Sequence, residues 1–122
     1  MNIEEVREYC LAKPGTSEHF PFDEVTLVIK VLDKMFALLP LDSPEWLTLK
    51  CDPERAIDLR DQYADILPAF HFNKKYWNQH RFEHLPDSLV QQLIDHSYEE
   101  VVKKMPQKTQ RLLSTLSNDN TP

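Results

Sequence analysis

The stretch Val25-Thr26-Leu27-Val28-Ile29-Lys30-Val31-Leu32-Asp33-Lys34-Met35-Phe36-Ala37-Leu38-Leu39 decides how the rest of the chain is read. Val25 to Leu32 and Lys34 to Leu39 are β-type runs, and a polar break near Asp33 separates them. Two such runs around a short break predict a tight hairpin. Further on, Trp46 to Cys51 alternates Trp46, Thr48 and Lys50 with Leu47, Leu49 and Cys51. That pattern predicts a strand with one face on a core and the other on water. Glu18 to Phe22 reads as a short edge strand limited by Pro21, and Tyr76 to Phe82 as another strand.

Helices surround these strands. Residues 2–12 place Ile3, Val6 and Cys10 at helical spacing, with Glu4, Glu5 and Glu8 where the helix dipole favours them. Lys13-Pro14-Gly15 ends that helix, since Pro14 cannot continue it. Asp52-Pro53 starts a second helix, running to about Ala64 and burying Ala56, Leu59 and Tyr63. Ile66 to Phe70 reads as a loop around Pro68. Pro86-Asp87-Ser88 opens a long helix with a stripe of Leu89, Leu93, Ile94, Tyr98, Val101 and Met105. Pro106 closes it, and Gln107 to Leu116 forms a last helix with a Leu112, Leu113 and Leu116 seam. The order predicts an α+β fold in a single domain over residues 1–116, a twisted antiparallel sheet flanked by helices. Residues 117–122 are expected to form a disordered polar tail.

A chain of 122 residues can bury a core without staples, and 41% hydrophobic with 28% charged residues is ordinary for a globular protein. Met1 leads straight into an acidic amphipathic segment, so export is not expected. Cys10 and Cys51 lie far apart in no metal-like spacing and read as reduced thiols of a cytoplasmic protein. No membrane association is expected, and a monomer is. The net charge of −6 counts against generic nucleic-acid binding, which draws most of its affinity from neutralising phosphate. Any such role requires a local positive patch.

Catalytic signatures are missing. The sequence has no G-x-S-x-G elbow and no dinucleotide fingerprint, and its only glycine, Gly15, leaves no phosphate-cradling loop. Cys51 falls on the apolar side of its strand, where a core role is expected. His80 and His84 are four apart, but on a strand that spacing separates them, and they read as surface histidines. The acidic groups from Glu4 to Glu8 and from Asp52 to Asp65 read as solvated helix faces. Neither a catalytic residue, a metal site nor a cofactor is expected.

One stretch stands apart. His71-Phe72-Asn73-Lys74-Lys75-Tyr76-Trp77-Asn78-Gln79-His80-Arg81 gathers cations, amides and aromatics in an otherwise acidic chain. Phosphates and unstacked bases call for those groups. On a strand, Tyr76, Asn78, His80 and Phe82 share one face, and Lys75, Trp77, Gln79 and Arg81 the other. Trp77 has two readings, stacking on a ligand or anchoring the core, and burial is the usual arrangement. Lys30 and Lys50, on the polar sides of their strands, extend the patch if those strands are neighbours. The competing reading is a basic edge that keeps the sheet soluble.

Several landmarks fall in a familiar order: Lys13-Pro14-Gly15, Ile29-Lys30-Val31 with Met35-Phe36-Ala37, and Leu49-Lys50-Cys51-Asp52-Pro53-Glu54. His71 to Trp77, Leu85-Pro86-Asp87 and Ser97-Tyr98 complete the series. Together they resemble the MmcQ/YjbR family of small bacterial proteins across nearly the whole chain. The resemblance implies a CyaY-like fold and the family's usual label, a DNA-binding protein. It places Lys50, His71, Asn73, Lys74 and Trp77 on the family's most recognisable motifs. The CyaY-like fold is shared with frataxin-type iron-binding proteins, but here the first helix alternates Glu4, Glu5 and Glu8 with Arg7.

The reading that results is a non-enzymatic DNA-binding protein using Lys30, Lys50, His71, Asn73, Lys74, Lys75, Trp77 and Arg81. Double-stranded DNA is the expected partner. The alternatives are a protein-interaction adaptor and, behind it, frataxin-like metal binding through the acidic first helix.

Overall fold

The structure, a computed structural model, describes residues 1–119, and side-chain surroundings as far as Leu116. Helix α1 (Ile3–Leu11) starts at a capping box. The Asn2 side chain accepts the Glu5 amide proton at 2.8 Å, and the Glu5 carboxylate accepts that of Asn2 at 3.0 Å. At Gly15 the chain takes φ +72° and turns directly into strand β1 (Thr16–His19). Because Thr16 pairs with Val31, β1 begins earlier than the expected Glu18 to Phe22 strand and leaves Pro21 outside the ladder.

Strands β2 (Thr26–Val31) and β3 (Lys34–Pro40) form the predicted hairpin, with Val31 opposite Lys34. Leu32 makes the turn with φ 57°, and its amide donates to the Gly15 carbonyl at 2.8 Å. The register shifts at Ile29/Lys30, so that Ile29 faces Ala37 while Lys30 faces Met35. Phe36 is the extra residue of this bulge, and Phe36 and Ala37 both enter the helix-side core.

Strand β4 (Trp46–Lys50), helix α2 (Pro53–Gln62), strand β5 (Ile66–Pro68) and strand β6 (Trp77–Arg81) follow. The section expected to be a loop around Pro68 is therefore a strand. Pro68 is tolerated because β5 is outermost in the sheet order β1-β2-β3-β4-β6-β5, where a missing N–H breaks no ladder. All strand pairs are antiparallel. A single 3₁₀ turn (Phe82–His84) leads to helices α3 (Asp87–Val102) and α4 (Gln107–Asp119). Helix α4 continues past Leu116 into the expected tail, and residues 120–122 of that tail lie outside the described residues.

Helix α3 lies across β2, β3 and β4 and carries the centre of the core. Leu93, Ile94 and Val101 of the expected stripe are buried, as is Val90, against Leu27, Ile29, Val31, Phe36, Leu39, Leu47 and Leu49. The seam expected on α4 is thinner. Leu113 alone is buried, on Gly15 and Leu32, while Leu112 (59%) and Leu116 (43%) are exposed. On the opposite sheet face the segment 69–76 folds over Val28, Leu38 and Trp77 as a second, smaller apolar cluster. No helix among the described residues is long and apolar enough to cross a membrane.

Candidate functional site

Strand register sorts the predicted residues by position. Lys50 pairs with Trp77 at one end of the sheet, and Trp46 pairs with Arg81 at the other. Lys30 lies toward the Lys50 end, opposite Met35, but β3 intervenes, so the strands of Lys30 and Lys50 are not neighbours. The five expected cations thus do not form one stripe.

Arg81 leaves the patch altogether. Its guanidinium lies 4.8 Å from the centre of the Trp46 ring, with Nη1 3.9 Å from Asp65 Oδ1. Lys74 places its ammonium over Phe70 at 5.1 Å. The Asn73 side chain accepts the Lys75 amide proton at 3.1 Å, and its carbonyl accepts those of Tyr76 and Trp77, so Asn73 builds the turn into β6. His71 is exposed beside Phe72 on a separate groove of about 430 Å³ that reaches Phe22, Trp46 and Gln79. Trp77 is a core residue at 9% exposure, stacked obliquely on Phe72 at 5.7 Å.

His80 is not a surface histidine. It is buried at 2% exposure, and its Nδ1 donates to the Leu47 carbonyl at 2.8 Å. Burial pushes its pKa down to about 4, against the weaker opposing effect of that hydrogen bond. Asn78, on the same face, is also buried, donating to the Ala56 carbonyl at 3.2 Å and accepting from Arg60 Nη1 at 2.9 Å. Helix α2 satisfies Asn78 and the Leu47 carbonyl takes the His80 proton, so both polar side chains are tolerated inside.

A different set of cations converges. A cleft of about 650 Å³ opens where the end of the sheet meets the α3–α4 junction. Its rim carries Lys34, Lys50 and Lys104 with one carboxylate, Asp33, and its apolar lining includes Met35, Trp77, Val101 and Met105. Lys75 and Lys104 place their ammonium groups 5.5 Å and 5.2 Å from the centre of the same Tyr76 ring. Half-buried Lys50 is the innermost cation. Burial lowers its pKa first, then the Lys104 charge, with Lys103 and Lys34 adding to this and Glu100 opposing it. Glu100 is itself paired with Lys103. Lys34, Lys103 and Lys104 were missed in the sequence because Lys34 opens β3 while Lys103 and Lys104 follow the end of α3, far apart along the chain.

The remaining chemistry is quiet. Burial pushes the Cys10 thiol up to about 12 and that of Cys51 up to about 11, which makes both poor nucleophiles. Among the described residues, no three His, Cys, Asp or Glu side chains come together as a metal site would require.

Comparison with known proteins places this geometry in a lineage. The chain is 36% identical to the uncharacterized protein YjbR of Escherichia coli K12 over 118 residues, covering 95% of this chain and all of the relative. It is 28% identical to the uncharacterized protein YbdF of Escherichia coli O157:H7, covering 88% and 90% of the two chains. The crystal structure of Deinococcus radiodurans protein DR2400, a DUF419 domain, superposes with a TM-score of 0.84 at 36% identity, over 93% of this chain and 88% of that one. A Pseudomonas syringae protein superposes at 0.67 with 25% identity, over 80% and 96%. The family model YjbR matches residues 11–100, and with a relative of that identity along nearly the full length, the chain belongs to the YjbR family.

Proposed function

We propose that this protein binds DNA, without catalysing a reaction on it, through the lysine-rimmed cleft. The observation that carries the reading is Lys50. A half-buried ammonium at the cleft, its charge disfavoured first by burial and then by Lys104 with Glu100 offsetting part of this, gains from an incoming anion. A phosphate supplies that anion, and several ammonium groups around one concavity raise its local concentration against the −6 charge of the whole chain. Lys75 and Lys104, flanking Tyr76, extend the positive rim beyond the cleft.

The test is fluorescence anisotropy of labelled DNA across a salt series. Contacts with two or three phosphates give a slope of log affinity against log salt of about −2 to −3. Lys50→Glu combined with Lys104→Glu should abolish binding. Salt-independent binding, or binding that survives the double reversal, overturns the reading.

A second reading, a protein-interaction adaptor, is favoured by a different observation. Phe20 (49% exposed), Phe22 (60%), Val25 and Leu41 form an exposed apolar group around the β1–β2 connection and the end of β3. Aromatics presented this way are typical interface anchors. Affinity capture with the wild type and with Phe22→Ser separates the two. A stoichiometric protein partner lost on that change, with no DNA binding, supports the adaptor.

A further inference from the structure

Resting on the DNA reading, we infer that the lysine-rimmed cleft takes an unpaired nucleotide, its phosphate on Lys34, Lys50 and Lys104 and its base on the apolar lining of Met35, Trp77 and Met105. The inference turns on the cleft's shape and on where the positive charge stops. A duplex presents two rows of phosphates on its outside and keeps its bases stacked and paired, so it needs a long basic face and has no use for an apolar pocket. This sheet offers the reverse. Beyond Lys50 and Trp77 the same face continues through buried Thr48 and half-buried Gln79 to Trp46, where Arg81 is occupied by the Trp46 ring and Asp65. The groove at that far end carries Asp23 and Asp42, which repel a phosphate row.

The cleft itself combines three lysines and a single carboxylate, Asp33, with a lining that includes two methionines and Trp77. Thioethers and indole make favourable contacts with a flat aromatic ring, and every base has such a face. At about 650 Å³ the concavity is of the size that encloses a small organic molecule. Lys75 and Lys104 beside Tyr76 then hold the next phosphate of the strand. Recognition on this basis is tolerant of sequence, because neither ammonium groups nor methionines read base edges.

The test compares three labelled probes of about 12 nucleotides: a single strand, the blunt duplex of the same sequence, and a single strand with abasic sites throughout. Anisotropy gives the affinities. Fluorescence in a Trp46→Phe background follows Trp77 alone, since these are the two tryptophans of the chain. The expected result is single-strand binding about tenfold or more tighter than duplex, weakened severalfold by removal of the bases, with Trp77 emission quenched only by the base-bearing strand. Met105→Glu should weaken the single strand and leave its folded circular-dichroism spectrum intact, and the abasic probe makes the same distinction without any variant. Duplex binding as tight as the single strand, or an abasic strand bound as well as the intact one, overturns this inference while leaving DNA binding through the lysines standing. No binding of any probe overturns both.

Discussion

The Ser97 hydroxyl lies 2.6 Å from the Phe36 carbonyl, to which it donates, and it accepts the Lys50 amide proton at 2.9 Å. A serine from α3 thus closes the gap that the β3 bulge opens in the β3–β4 ladder, where direct pairing is confined to Ala37 with Leu49 and Leu38 with Thr48. The same bond fixes the backbone that carries Lys50 into the cleft.

Ser97→Ala should destabilise the protein by about 2 kcal/mol, because it leaves a buried carbonyl and an amide without partners. Urea unfolding should show a lower midpoint at unchanged slope. An unchanged midpoint would mean that water or a shift of β4 replaces the hydroxyl.

Stability should fall as pH drops from about 6.5 towards 4. The folded pKa of His80 is lowered to about 4, so the unfolded chain takes up a proton that the folded chain refuses. The stabilisation is present above the unfolded value and lost as pH falls through the folded one, at most about 3 kcal/mol. His96, which accepts the Asp52 amide proton at 3.0 Å, is shifted the same way, chiefly by burial and then by Arg55. Urea midpoints measured from pH 7.5 to 4.5 check this, and a flat profile would contradict the buried neutral imidazole.

Gly15→Ala should cost about 1–2 kcal/mol from the positive φ alone. An added Cβ would also meet Leu113 Cδ2 at 2.6 Å and Leu32 Cδ2 at 3.3 Å. Leu113→Ala removes the first clash, so the double variant should be less destabilised than the sum of the two singles. Additive thermal-melt losses would show that the leucine simply moves aside.

Arg81→Gln should leave DNA affinity within about twofold of the wild type, whereas Lys104→Gln should lower it by about fivefold. Both are surface cations of the same formal charge. Equal losses would show that net charge, and not the cleft, governs binding.

The hairpin was legible because its two β-type runs are local and meet at a short polar break. Within β6 the alternation holds, with Asn78 and His80 on one face and Trp77, Gln79 and Arg81 on the other, but Tyr76 lies outside the strand and packs with Trp77, and Thr48, expected on water, is buried. What failed needed knowledge of distant neighbours. Pro68 signals a loop unless its strand is known to be outermost, and His80 and Asn78 signal solvent unless the Leu47 carbonyl and α2 are known to satisfy them. The convergence of Lys34, Lys50 and Lys104 joins a hairpin, a central strand and a helix end, and no local pattern announces it.

The sheet finishes on both sides in short strands, Thr16–His19 and Ile66–Pro68. Pro68 removes a donor from one rim, and Glu18, bound to Arg7, places an ion pair on the other. A second molecule seeking to continue the ladder meets only a few unmatched amides and a charged border. Crowded solutions of the folded chain are therefore protected against cross-β assembly by the same proline that hides the strand from a reader of the sequence.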